Sequence, residues 1–324
     1  MKKLIITRAI PEEVLVNFRD KVDITTQPEG ATLSHEDAIE VLGEYDALMT
    51  LGFKADSAVI DAGTKLKVIG NLGVGYDNID WAYCTKKKVA VVNTPREVMH
   101  PTAELTLSII LALTRQIVYF DKKLRETLNT SALTSSFAKG STSMYGRTLG
   151  IIGFGRIGKA LAFKAKGLGM KVIYNDIVRA TPEQEAELNA EFMSFDDVLK
   201  NADVVSIHCP FLPENYHLIS DRAFDLMKPT AYFVNAARGP ITDEAALIRA
   251  LKEKKIAGAG LDVFEKEPIV SPELAEFDNV VIVPHIGTLA YDVRLAMATE
   301  ALTGIVAVLN GEIPYNVINP EVLR

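Results

Sequence analysis

A chain of 324 residues is too long for one ordinary hydrophobic core and predicts two domains. With 48% hydrophobic and 24% charged residues it reads as a soluble globular protein, and a formal net charge of −7 argues against a general binder of nucleic acid or anionic membrane, whose phosphates need clustered Lys and Arg. Cys84 and Cys209 lie far apart in no metal-ligand pattern, so a reducing compartment is expected and no metal site is read. The apolar run Leu4 to Ile6 after Met1-Lys2-Lys3 is cut short by Thr7 and Arg8, and no uncharged stretch is long enough to span a membrane. The expected location is therefore cytoplasmic.

The first part of the chain alternates strand and helix signals. Leu4 to Thr7 reads as a strand, and Pro11 stands where a helix begins and runs through Val16. Val22 to Thr25 is a second strand, and Ser34 with Asp37 resembles a capping box that opens a helix toward Leu42. Ala47 to Thr50, Val68 to Gly70 and Val89 to Val92 continue as short apolar strands of a parallel sheet. The turn Asn71 to Asp77 has two readings: an ordinary strand-to-helix turn, or a nest of backbone N–H groups aimed at an anion. Asn93-Thr94-Pro95 breaks the chain and ends this domain. A long helix is expected next, with Pro101 in its first turn and apolar positions Ala103, Leu107, Ile110, Leu111 and Leu113, running on toward Leu124. Its apolar surface is broad enough to serve its own domain and a further surface, a second subunit included. Residues 129–145, rich in Ser and Thr, read as an irregular connection.

Residues 148–176 carry the sharpest signal. The apolar run Leu149 to Ile152 ends on Gly153, Gly155 and Gly158, a helical pattern follows through Ala160, Leu161 and Ala165, and a second strand, Val172 to Tyr174, leads to Asp176. This is the dinucleotide-binding pattern. Gly153 permits the tight turn, Gly155 lets the backbone approach a pyrophosphate, and Gly158 lets helix and strand pack closely. The helix N-terminus offers free N–H groups to the phosphates. Asp176 suits ribose hydroxyls and repels a phosphate, so the expected cofactor is NAD, with Arg179 the one feature that tempers the choice over NADP.

Beyond Asp176 the βαβ rhythm continues. Phe195 to Leu199, Ala223 to Met227 and Glu244 to Leu251 read as helices; Val204 to Ile207, Ala231 to Asn235, Gly260 to Val263 and Val280 to Val283 read as strands. His208, Arg238, Asp262 and His285 fall at strand ends, where open parallel sheets bind ligands. Residues 290–310 form a last long helix, and the extended tail Pro314 to Val317 is expected to return to the first domain.

The motifs GVGYDNID (73–80), NTP (93–95), TAELTL (102–107), TLGIIGFGRIG (148–158), DVVSIHCP (203–210), NAARGPITDEAAL (235–247), GLDVFEKEP (260–268) and PHIG (284–287) together resemble the D-isomer-specific 2-hydroxyacid dehydrogenases over nearly the whole chain. The resemblance implies an α/β fold of two Rossmann-like doubly wound domains, with a cofactor domain (100–290) inserted in a discontinuous substrate domain (1–99 and 291–324), and a homodimer. It implies NAD-dependent interconversion of a 2-oxo acid and its D-2-hydroxy acid. Residue by residue, the catalytic Arg falls on Arg238, the acid on Glu267 and the His on His285. Cofactor contacts fall on Gly153, Gly155, Arg156, Ile157 and Gly158 at the pyrophosphate, on Asp176, Pro210, Ala236 and Ala237, and on Asp262 near the carboxamide. Thr102, His208 and Gly287 are grouped with them, although His208, like His35, His100 and His217, also has a plain structural reading. The substrate-carboxylate loop falls on Leu72, Gly73, Val74 and Gly75, which favours the nest.

The chemistry explains these residue types. Reduction of a 2-oxo acid builds negative charge on the carbonyl oxygen; His285 can donate the proton, Glu267 favours and orients the imidazolium, and Arg238 offers a fixed fork of donors to carboxylate and oxyanion. Reduction should be favoured at lower pH and oxidation at higher pH. Glyoxylate or hydroxypyruvate is the first expectation for substrate, then branched or aromatic 2-oxo acids, then phosphohydroxypyruvate. Departures from the family pattern at Phe137, at Tyr216-His217 and at Leu289-Ala290 bear on pocket shape, and the lack of a regulatory domain after residue 324 weakens a reading as a long phosphoglycerate dehydrogenase. Formate dehydrogenases on this scaffold have Gln where Glu267 stands, and a cofactor-sensing corepressor is the alternative of another class.

Overall fold

The computed structural model describes residues 1–132 and 140–324, so Phe137 lies outside the described residues. The chain forms two compact units, Met1–Val98 with Thr288–Arg324, and Met99–Gly287.

In the first unit five strands, β1 (Lys3–Ile6), β2 (Asp23–Thr25), β3 (Ala47–Thr50), β4 (Val68–Asn71) and β5 (Ala90–Val92), form a parallel sheet in the order β2-β1-β3-β4-β5. Side chains alternate across it. Leu4, Ile6, Met49, Val68 and Val92 face one core with Ala301, Leu302 and Ile305, whereas Ile5, Leu48, Ile69 and Val91 face another with Ala38, Leu42 and Val59. The helix Tyr291–Leu309 lies so close to β4 that a Cβ on Gly70 would stand 2.5 Å from Ile305 Cδ1. Ser34 caps its helix by accepting the Asp37 N–H at 3.0 Å. The tail returns as the sequence suggested: Val317 bridges Val92, Ile318 N–H donates to Val91 O at 2.7 Å, and the fully buried Asn319 accepts the Val91 N–H at 2.8 Å.

The second unit carries seven parallel strands, β6 (Thr148–Ile152), β7 (Lys171–Asn175), β8 (Ala190–Phe192), β9 (Val204–Ile207), β10 (Tyr232–Asn235), β11 (Gly258–Leu261) and β12 (Val280–Ile282), in the order β12-β11-β10-β9-β6-β7-β8. Strand order reverses between β6 and β9, so the carboxyl ends of these two flank the crevice where such sheets take ligands. Helices Met99–Thr114 and Arg156–Gly167 cover one face through Ile109, Ile110, Leu161 and Ala165; helices carrying Val198, Phe224 and Leu247 cover the other.

Three elements differ from the sequence reading. The expected helix from Pro101 toward Leu124 is two helices, Met99–Thr114 and Ile117–Thr127, bent by 57° where Gln116 takes φ 53°. The buried surface of the first ends at Thr114, whereas the second buries no residue, so tertiary packing and not apolar content sets the break. Helix Pro182–Leu188 and strand β8 did not stand out in sequence, although Thr181 and Gln184 form a complete capping box. Glu191 interrupts the apolar run of β8, an edge strand paired on one side only.

Candidate active site

The glycine turn after β6 uses its three glycines differently. Gly153 has φ +94°, and a Cβ there would stand 2.3 Å from Cys209 N, so only glycine fits between the ends of β6 and β9. A Cβ on Gly158 would lie 2.3 Å from Gly153 O, which sets how closely helix and turn pack. At Gly155, the N-cap of helix Arg156–Gly167, a Cβ would meet nothing within 4 Å. The turn thus leaves open space in front of the first helical N–H groups, Arg156 and Ile157 among them, which is the cradle a pyrophosphate needs. Asp176 follows β7 and anchors this turn, accepting Phe154 N–H at 2.5 Å and Val178 N–H at 3.0 Å. Arg179 is held away from any such role by a two-pronged bond to Glu185 (2.8 and 2.9 Å). The Arg179 bond, with help from the Tyr174 hydroxyl, draws the Glu185 carboxyl down to about 2.

Past β9, His208 N–H donates to Ile152 O at 2.7 Å and its Nε2 lies 2.8 Å from Ser206 Oγ. Burial pushes its pKa down to about 4, so the ring is neutral at pH 7. The Asn215 amide closes the following loop, donating to Pro210 O at 2.7 Å and accepting Leu212 N–H at 2.8 Å. Past β10, the buried Asn235 shapes the turn that carries Ala236, Ala237 and Arg238. It accepts Ala237 N–H at 3.0 Å and donates to Arg238 O at 2.9 Å and Thr242 Oγ1 at 3.1 Å. The Arg238 guanidinium donates to Ala237 O at 2.8 Å.

Past β11 and β12 the acidic groups meet the histidine. Glu267 Oε2 lies 3.0 Å from His285 Nδ1, and Glu267 Oε1 accepts Phe264 N–H at 3.1 Å. Partial burial alone would raise the Glu267 pKa, but the hydrogen bond and charge of His285 outweigh it, with the Arg238 charge adding to them, and hold the carboxyl below its usual range. His285 takes φ 53°, and its N–H donates to Asp262 O at 2.9 Å. Asp262 is 1% exposed, and its two oxygens accept the N–H groups of Ile286 (2.6 Å) and Gly287 (3.0 Å). Burial pushes its pKa up to about 6. A Cβ on Gly287 would lie 3.2 Å from Asp262 Oδ2 and 3.5 Å from Thr102 Oγ1, so Thr102, Asp262 and Gly287 form one contact.

In the first unit the loop Leu72–Gly75 turns its carbonyls inward. Asn71 Nδ2 donates to Gly75 O (2.6 Å), Asn93 Nδ2 to Val74 O (2.8 Å), and Thr94 N–H to Gly73 O (3.1 Å). Among the described residues the N–H groups of Gly73, Val74 and Gly75 meet no acceptor, which suits an anion. Neither glycine has positive φ, so inward hydrogen bonding of the carbonyls, and not alternating backbone handedness, creates the row of donors.

Sequence reasoning missed Asn235 and Asn215 as residues that shape the loops. For Asn235 the available signal was a polar residue closing an apolar strand, Tyr232 to Asn235; Asn215 gave none.

Comparison with known proteins places the chain in a family. The model of the D-isomer specific 2-hydroxyacid dehydrogenase NAD binding domain matches residues 107–287. A glyoxylate reductase of Thermococcus onnurineus is 43% identical over 325 residues, covering 99% of this chain and 97% of its own. The crystal structure of a glyoxylate reductase from Paecilomyes thermophila superposes with a TM-score of 0.87 at 29% identity, covering 99% of each chain. That of Rhodotorula graminis D-mandelate dehydrogenase gives 0.85 at 30% identity, covering 98% of this chain and 97% of its own. The chain belongs to the D-isomer-specific 2-hydroxyacid dehydrogenase family and is an NAD-dependent 2-hydroxyacid dehydrogenase.

Proposed function

We propose that this enzyme reduces glyoxylate or hydroxypyruvate to the corresponding 2-hydroxy acid, with His285 as acid, Glu267 as its partner and Arg238 binding the substrate. The observation that carries the roles is the Glu267–His285 pair, 3.0 Å apart at Nδ1. A carboxylate on Nδ1 fixes the ring and leaves Nε2 as the nitrogen that gives up a proton. The relatives named glyoxylate reductase support the substrate.

The residues of the second unit fit NAD: the open space at Gly155, the helix N-terminus behind it and the carboxylate of Asp176 suit pyrophosphate and ribose. Bound NADH supplies the hydride. The chain's part is to hold the keto acid, protonate its oxygen from His285 Nε2 as the carbonyl carbon is reduced, and stabilise carboxylate and oxyanion through Arg238. Within the first unit, the N–H groups of Gly73, Val74 and Gly75 suit a carboxylate. NADH is the preferred form, because Glu185 occupies the Arg179 guanidinium that a phosphate on the adenosine ribose would need. The working state is a homodimer, a reading supported by the helix Ile117–Thr127, which leaves Ile117, Val118 and Leu124 exposed.

NADH oxidation against glyoxylate, hydroxypyruvate, pyruvate, 2-oxoisocaproate, phenylpyruvate and phosphohydroxypyruvate, with NADPH in parallel, tests this. Highest kcat/KM on glyoxylate or hydroxypyruvate with NADH is expected. Preference for phenylpyruvate would move the substrate to aryl 2-oxo acids, the side on which the mandelate enzyme stands.

A further inference from the structure

His217 touches none of the reacting groups proposed above, yet its contacts converge on the segments that carry them. Its backbone N–H donates to Pro240 O at 3.0 Å, just beyond Arg238. Its ring Nε2 lies 3.0 Å from Glu265 Oε1 and its Nδ1 lies 3.9 Å from Asp243 Oδ2, while the Tyr216 ring stacks on it at 3.8 Å. Glu265 is locked in turn: its Oε2 accepts Glu244 N–H at 3.0 Å, and its own N–H donates to Glu244 Oε2 at 3.1 Å. The neighbouring Phe264 gives its N–H to Glu267 at 3.1 Å. The carbonyl of Phe264 leaves no room beside Arg238, since a Cβ on Gly239 would fall 1.8 Å from Phe264 O. One histidine therefore ties the arginine loop, through its backbone N–H, and the glutamate loop, through its ring. His217 also holds φ 54°, a conformation unfavourable for a non-glycine residue that persists where surrounding contacts over-determine it.

Ligand atoms of His217, Asp243 and Glu265 lie within 4.8 Å of one another. The ring, however, is hydrogen-bonded to Glu265 through Nε2 while Nδ1, on its other side, faces Asp243 at 3.9 Å, so the two nitrogens are directed at different carboxylates and not at one ion. The other charges at hand are Arg249, 4.0 Å from Asp243, Lys266 beside Glu265, and Glu244.

We propose that His217 is a positioning residue for the reduction: by bonding Glu265 through its ring and Pro240 through its N–H, it holds Arg238 and Glu267 in register so that His285 delivers its proton along the productive line. The inference rests on the roles proposed for Arg238, Glu267 and His285.

The test uses the full-length enzyme and the variants His217→Ala, His217→Gln and Glu265→Gln, with His285→Gln as the reference. Steady-state kcat and KM for the best 2-oxo acid, NADH affinity by fluorescence, and melting temperature are measured, with kcat followed from pH 5 to 9. Misplacement of catalytic groups by about 1 Å can cost up to about a hundredfold in rate. A fall in kcat of about tenfold or more is expected for His217→Ala and Glu265→Gln, with KM and NADH affinity within about threefold of wild type. The pH profile of kcat should change shape in these two variants, and His217→Gln, which can still donate to Glu265, should recover most of the rate. Unchanged kcat and pH profile in His217→Ala would overturn the proposal, as would equal losses of stability, NADH binding and rate in all three variants. Activity lost to EDTA and restored by zinc would overturn it in favour of a metal site. Full turnover by His285→Gln would instead remove the active-site reading beneath it, an outcome the other variants cannot mimic.

Discussion

Replacing Asp262 by Asn separates two jobs of one buried carboxylate. Its oxygens accept the N–H groups of Ile286 and Gly287, the residues after His285, and it is 1% exposed. Burial outweighs those two bonds and raises its pKa from 3.8 to about 6, a difference of about 3 kcal/mol at roughly 1.4 kcal/mol per pH unit. The folded state thus binds the proton more tightly than the unfolded state. Stability contributed by the protonated acid is present below pH 4 and is lost as pH rises through about 6. Asn is a neutral isostere of that protonated acid. Whatever constant offset the lost acceptor adds, Asp262→Asn should gain about 3 kcal/mol of stability relative to wild type between pH 4 and pH 8, or roughly 6 to 12 °C in the melting temperature of a unit this size. Turnover should move the other way. Asn can accept only one of the two N–H groups, so the segment beside His285 loosens and kcat falls by about tenfold. Urea denaturation of both proteins at several pH values between 4 and 8, with kcat at pH 7, checks both parts. A stability difference that does not vary with pH would refute the reasoning, because it would mean that Asp262 titrates alike in the folded and unfolded chain.

Three further outcomes are expected. Gly153→Ala should cost several kcal/mol and abolish NADH binding, since φ is +94° and Cys209 N stands 2.3 Å from the new Cβ, whereas Gly155→Ala should melt within a few degrees of wild type and still weaken NADH binding, measured by fluorescence quenching. Asp176→Ala combined with Glu185→Gln removes a repulsive carboxylate and releases Arg179, so kcat/KM for NADPH relative to NADH should rise at least about tenfold in initial-rate assays. Arg238→Gln and His285→Gln should each lower kcat/KM by about a hundredfold or more while NADH affinity stays within about threefold, which calorimetry with NADH can show.

Local order in the sequence determined a good deal. Runs such as Ala47–Thr50 and Val204–Ile207 are apolar throughout because a parallel strand is covered on both faces, and they announce α/β architecture without reference to anything distant. The turn at Gly153 and the close packing at Gly158 were legible because both fall within one βαβ unit, the same unit on which the proposed cofactor roles of Gly155 and Asp176 rest. The motif resemblance carried Arg238, Glu267 and His285, whose positions no local pattern could have joined.

Other features depended on contacts between residues remote in the chain. The break at Gln116 is set by where helix Met99–Thr114 runs out of sheet to cover, and apolar residues continue past it. Arg179, which in sequence tempers the choice of NAD over NADP, is paired with Glu185 on a helix that sequence reading did not mark. Asn235 and His217 looked like an ordinary strand end and an ordinary loop histidine. Their hydrogen bonds reach Arg238, Pro240 and Glu265, and such partners become neighbours only when β9, β10 and β11 align side by side. The raised pKa of Asp262 has the same origin. Sequence supplies the carboxyl group, but only the packed fold removes the water from around it.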